Sequence, residues 1–166
     1  MFFGCMGRLA ALLMVPVAVF LASCGLFHTT SAPAGMGQEV VDGKLAFIVT
    51  QVGTSPTFGH TRAQGVYVIV SMAVRNNGTE AQHFEMAAQT LKGGAGRGYS
   101  ASFMDAPSLE KEKVVNNIAP GLQVSVKLAF DVPRDVRPTQ IVLHESVSSH
   151  GAPVNLKQTP SPSPQG

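Results

Sequence analysis

Tryptophan is absent, cysteine occurs twice, and charged residues make up only 13% of the 166-residue chain. Each shortage removes a class of protein. Both cysteines, Cys5 and Cys24, stand near the amino end, so nothing beyond Cys24 can form a disulfide, a thiolate metal site or a cysteine nucleophile. Lys and Arg outnumber Asp and Glu by only 12 to 10 and form no run along the chain, which speaks against nucleic acid as a partner. The charged fraction is about half of the roughly 25% usual in soluble domains. Yet 45% of the residues are hydrophobic, too many for an intrinsically disordered chain. The length suits one domain.

What is present begins with an uncharged apolar run, Leu9 to Ala22, placed directly after Arg8. A helix that stays in a bilayer needs about 20 apolar residues. This run is shorter and is interrupted by Pro16, so residues 1–23 are expected to be a signal peptide, with translation starting at Met1 or Met6. The run ends in Leu21-Ala22-Ser23-Cys24, which resembles the bacterial lipobox. Small residues at Ala22 and Ser23 let extended backbone enter a lipoprotein signal peptidase, and only a thiol at Cys24 can become the thioether that carries diacylglycerol. The alternative reading is an unmodified cysteine that happens to follow a hydrophobic helix. Each buried methylene contributes about 0.8 kcal/mol, so two or three acyl chains on Cys24 hold a protein stably at the membrane. The expectation is a chain tethered through diacylglyceryl Cys24 to the extracytoplasmic face of the cell membrane.

Residues 24–37 are small and aperiodic and read as a flexible spacer, and the Pro/Ser-rich residues 158–166 as a disordered tail. Between them, residues 38–157 alternate as strands do. Leu122, Val124, Val126, Leu128, Phe130 and Val132 share one face of a strand bounded by Pro120-Gly121 and Pro133. Val66 to Val74 is apolar on both faces and reads as a central strand, ended by Asn76-Asn77-Gly78. Lys44 to Val52 and Thr139 to His144 are further strands. Shorter ones are predicted at His83 to Met86, Gln89 to Lys92, Tyr99 to Phe103 and Pro153 to Leu156. Asp105 to Lys113 alone suits a short helix. Short strands between Gly, Pro and Asn turns predict an all-β, antiparallel sandwich of about seven or eight strands.

Asp42-Gly43-Lys44-Leu45-Ala46-Phe47, Gly65 to Val70 leading to Val74-Arg75-Asn76, Gly96-Arg97-Gly98-Tyr99, Pro120-Gly121, Phe130-Asp131-Val132-Pro133 and Ile141-Val142-Leu143-His144 together carry a resemblance. The chain resembles actinobacterial lipoproteins whose uncharacterised immunoglobulin-like domain is related to telokin-like secreted antigens. The resemblance spans residues 38–157 and rests on core and turn residues. It implies an exported immunoglobulin-like β-sandwich on a lipid anchor, outside the cytoplasmic membrane, with no agreed activity and no catalytic residues to transfer. Gly93-Gly94-Ala95-Gly96 departs from the family in being looser than its usual turn.

Chemical motifs are scarce. Gly93 to Gly98 invites comparison with a phosphate loop, but position 99 is Tyr and no Gly-Lys-Ser/Thr follows, so a hairpin loop is the simpler reading. His60, His83, His144 and His150 match no metal-ligand spacing, and His144 with Glu145 and His150 is the one histidine cluster that stands out. No serine occupies a Gly-x-Ser-x-Gly elbow, and Asp105, Glu110, Glu112, Asp131 and Asp135 fall in loops or on wet faces. No cofactor, metal or catalytic residue is expected. The leading expectation is a noncatalytic module that binds an envelope protein, glycan or lipid through an aromatic patch involving Tyr67, Phe58 or Phe103. A carrier of a small apolar ligand held between the sheets is the alternative, and a hydrolase stands third.

Overall fold

The computed structural model describes residues 33–104 and 117–157. The signal segment, the lipobox Leu21 to Cys24, the helix expected at Asp105 to Lys113 and the Pro/Ser tail lie outside the described residues. Strands β1 (Ala34–Gly35), β10 (Ala152–Asn155), β9 (Pro138–Leu143), β5 (Thr90–Gly93) and β6 (Gly98–Ser100) form one sheet in that order. Strands β2 (Glu39–Asp42), β3 (Leu45–Phe58), β4 (Thr61–Asn76), β8 (Gln123–Val132) and β7 (Phe103–Met104) form the other. The fold is a β-sandwich, as the alternation in the sequence predicts, of the immunoglobulin-like kind that the resemblance implies.

Its core is the sum of the inward period-two positions. Leu45, Phe47 and Val49 of β3, Val68 to Val74 on alternate residues of β4, and Val126, Leu128, Phe130 and Val132 of β8 meet Leu91, Ile141, Leu143 and Val154 of the facing sheet. Phe84 and Ile118 belong to the same buried cluster. Full burial of such side chains is worth roughly 1.5–3 kcal/mol each. The Arg75–Glu39 ion pair, 2.8 Å long with both side chains 40% exposed, adds at most about 1 kcal/mol. Apolar packing therefore dominates the stability.

The described residues form ten strands rather than seven or eight because two segments serve both sheets. Ala34–Gly35 runs parallel to β10, and a turn later Glu39–Asp42 pairs antiparallel with β3. Likewise the Tyr99 to Phe103 segment divides. The Ala101 amide donates to Gln89 O in one sheet and the next amide, Ser102, donates to Ala129 O in the other. His83 to Met86 is not a strand. Gln82 makes an isolated bridge with Ile118, Phe84 is buried, and Met86–Ala88 forms a 3-10 turn. Leu122, expected inward, is 42% exposed, because β8 begins one residue later, after the Gly121 turn at φ +74.

Strand β4 is central, paired with β3 and β8. Beyond Val49 most of β3 is exposed, as is the first part of β4, so the β3–β4 hairpin extends past the core as an arm. Asp131 secures its base, accepting the Gln64 and Gly65 amides at 2.8 and 3.0 Å. Gly65 is required there, since a Cβ would stand 2.1 Å from Val132 O.

Candidate functional site

The sandwich has two unlike ends. At one, the β2–β3 turn, the end of β4 and the link between β9 and β10 come together. Here the structure gathers Asp42, His144, Glu145 and Ser149, a set that invites a catalytic reading. The Asp42 carboxylate accepts the amides of Glu145 at 2.7 Å and Gly151 at 3.2 Å. The His144 ring reaches Ser149 through Nδ1, 3.2 Å from the carbonyl and 3.3 Å from Oγ. Ser149 Oγ donates to Ser146 O at 2.9 Å, and Glu145 Oε1 accepts the Lys44 amide at 3.0 Å.

A nucleophile triad needs the serine proton directed at imidazole and the carboxylate behind the ring. In this cluster the Asp42 carboxylate holds the Glu145 and Gly151 amides and the Ser149 hydroxyl, and Ser149 Oγ lies 2.9 Å from Ser146 O, an arrangement unlike that of a triad. Burial pushes the Asp42 carboxyl up, but the Ser149 hydroxyl, the Glu145 and Gly151 amides and the His144 ring together outweigh it and hold the group below its ordinary 3.8. Space is tight as well. A Cβ on Gly43 would strike the Glu145 carboxylate, and one on Gly151 would strike His144 and Val142. These polar groups fasten one sheet to the other.

Two buried amides extend the same end. Asn76 Nδ2 donates to Glu80 O and Ile118 O at 2.7 and 2.8 Å, and its Oδ1 accepts the Gly78 amide at 2.7 Å. Gln89 takes the place of a missing strand partner at the end of β9. Its Oε1 accepts the His144 amide at 2.9 Å, and its Nε2 donates to His144 O at 2.9 Å and Glu85 O at 2.7 Å. Among the described residues no buried side-chain nitrogen or oxygen lacks a partner. Sequence reasoning missed Gln89, although a glutamine directly before an apolar-alternating strand is a usable signal.

His60, His83 and His150 are exposed, and among the described residues no group of three or more His, Cys, Asp or Glu could hold a metal ion. Asp105, Glu110 and Glu112 lie outside the described residues. The Gly93 to Gly98 segment is a hairpin turn between β5 and β6. Its amides are engaged, Gly93 with Arg97 O, Gly96 with Gly93 O and Gly94 with Arg137 O, at 3.0, 2.9 and 3.1 Å. They are not free to cradle a phosphate.

The open surfaces lie at the other end. Under the arm a cleft of about 360 Å³ is lined by Gln51, Thr57, Phe58, Ile69, Ser71 and Lys127. The half-buried Phe58 meets Tyr67 edge-on, ring centroids 6.2 Å apart at 62°. Tyr67 itself is only 2% exposed, so it supports Phe58 and does not join a surface patch as expected. Burial, then the Asp131 carboxylate, raises the Tyr67 phenol above its ordinary 10.0. Nothing is described of the Phe103 side chain. Among the described residues the large exposed apolar side chains are Val41, Leu122 and Val147, all on turns or strand ends at the Asn76 end.

This fold, built from turn glycines and core alternation without a chemical motif, belongs to a defined class. Residues 34–154 match the family described as a domain of unknown function, DUF4352, and the chain belongs to that family. No curated protein matches it in sequence. Among solved structures it is similar to the yjhA protein from Bacillus subtilis, with a TM-score of 0.55 at 14% identity over 74% of this chain and 99% of that one. It is similar also to MPT63, a secreted protein from Mycobacterium tuberculosis, with a TM-score of 0.55 at 13% identity over 78% of this chain and 100% of that one. At such identities the likeness concerns the fold.

Proposed function

We propose that the chain is an exported, lipid-anchored, noncatalytic binding module of the cell envelope. The observation that carries this reading is the order of segments: an apolar run, the lipobox Leu21-Ala22-Ser23-Cys24, and then a β-sandwich whose family match begins at residue 34. Residues 1–23 are cleaved, diacylglyceryl Cys24 holds the membrane, and the residues that follow link it to the domain. MPT63 is described as a secreted protein, which agrees with an extracytoplasmic location. Among the described residues no helix is long and apolar enough to cross a membrane.

A binding role is favoured over catalysis because, in the cluster of His144, Ser149 and Asp42, the carboxylate is held by the Glu145 and Gly151 amides and Ser149 Oγ donates to Ser146 O. It is favoured over a carrier role because Phe47, Met72, Phe84 and Phe130 pack between the sheets, where an apolar ligand would have to sit. Labelled palmitate is expected to enter the wild-type protein in its host and not the Cys24→Ala variant. Equal labelling of both, or a native amino terminus at another residue, refutes the anchor.

A further inference from the structure

An asparagine followed by glycine is the sequence most prone to lose ammonia, because glycine has no Cβ to shield its amide nitrogen and turns freely. Such a pair occurs once in the chain, at Asn77-Gly78, just past the end of β4. The reaction is intramolecular. The Gly78 nitrogen gives its proton to solvent and attacks Asn77 Cγ, the bond from Cγ to the side-chain nitrogen breaks, and ammonia leaves behind a cyclic succinimide. Water then opens the ring at either carbonyl, to aspartate or to isoaspartate.

In the folded domain the electrophile is ready and the nucleophile is withheld. Asn77 is exposed, and Arg75 Nε donates to its Oδ1 at 2.9 Å, which draws charge from Cγ and favours attack there. The Gly78 amide, by contrast, donates to Asn76 Oδ1 at 2.7 Å in a half-buried site. That acceptor cannot turn away. Asn76 is wholly buried and its Nδ2 is committed to Glu80 O and Ile118 O, so its oxygen is left facing Gly78. Freeing the Gly78 amide would strand this buried oxygen without a partner. The turn is held on its other sides as well. The Asn77 amide donates to Lys44 O at 2.8 Å, and the space around Gly78 is close, since a Cβ there would stand 3.0 Å from Lys44 Cδ and 3.1 Å from Asn76 Oδ1.

We propose that Asn77 is a modification site controlled by Asn76: it loses ammonia when the buried Asn76 network opens and is spared while that network is closed. Conversion at Asn77 thus records the time the domain spends open. Isoaspartate carries the main chain through the former side chain, one methylene longer, and moves the Gly78 amide away from Asn76 Oδ1. A domain modified in this way does not re-form the same contact.

The test incubates the full chain at mildly alkaline pH, native and in urea above its unfolding transition, and follows Asn77 by mass spectrometry in the tryptic peptide of residues 76–92. The unfolded chain should convert about tenfold or more faster than the native one. Gln89→Leu is the control, because it also removes a buried amide but leaves the Gly78 contact in place. Under native conditions Asn76→Ala should outpace it by about tenfold or more beyond the difference in their unfolding equilibria. Should Asn76→Ala fail to fold, wild type alone decides. Across urea concentrations below the transition, Asn77 conversion and Gly78 amide exchange should change by the same factor, since both need the same opening. Equal conversion of native and unfolded chains, equal conversion of the two variants, or conversion and exchange rates that move apart would each overturn the proposal.

Discussion

The two ends of the sandwich solve opposite problems with similar materials. At the Asn76 end, polar side chains are buried or half-buried and their hydrogen bonds are consumed by backbone groups of Ile118, Glu80, Glu145, Gly151 and His144. At the Gly93–Gly98 end, polar side chains stand in open clefts with no carboxylate partner among the described residues. Burial makes a polar group structural, because an unpaired one costs its full desolvation. Exposure leaves it available. The difference separates residues that hold the domain together from residues free to meet something else.

That division is broken or sharpened by substitutions at each end. The largest effect is expected at Asn76, which is wholly buried and serves three backbone groups at once. Asn76→Ala should lower the unfolding free energy by about 3 kcal/mol in urea titration. Gln89→Leu should follow at about 2 kcal/mol, since it strands the His144 amide and carbonyl in a site only partly sealed from water. A loss below about 0.5 kcal/mol at either position would show that the network is ornamental.

Asp42→Asn is expected to cost about 1 kcal/mol at neutral pH, discounted for the half-exposed site. Its sign follows from the lowered carboxyl value. The charged form is favoured by folding, so its contribution is complete above 3.8 and fades as pH falls through the lower folded value. The gap between wild type and variant should begin to close as pH falls below about 4 and vanish only below the folded value, and a gap that stays constant across that range would contradict the account. The smallest effect belongs to the Gly93–Gly98 end, where Arg97→Ser or Arg134→Ser should change stability by no more than about 0.5 kcal/mol.

Much of the fold was legible because the core strands alternate without interruption. Val126 to Val132 and Val68 to Val74 show a period of two that needs no tertiary information, and Pro120-Gly121 marks where β8 begins. The extra strands were not legible, because switching from one sheet to the other at Ala101 and Ser102 leaves no mark on hydrophobic periodicity. Nor was the turn at Met86–Ala88, where Gln89 satisfies backbone groups from a distant strand. Histidine and carboxylate spacing gave no sign of the contacts that Asp42 and His144 make across the chain, with the Glu145 and Gly151 amides and with Ser149. The clefts of the Gly93–Gly98 end were illegible for a simpler reason: Lys92, Arg97, Arg134, Arg137 and Lys157, which line them, meet only after three loops fold onto one end.

Residue-resolved hydrogen exchange on the full chain tests the division of the two ends most directly, because amides tied into buried networks open only with global unfolding and amides in open turns exchange through local motion. The amides of Gln82, Ile118 and His144 should exchange at the slow global limit, and those of Gly94 and Gly96, with the arm residues Thr57 to Gln64, orders of magnitude faster. Equal or slower exchange at the Gly93–Gly98 end would contradict the account.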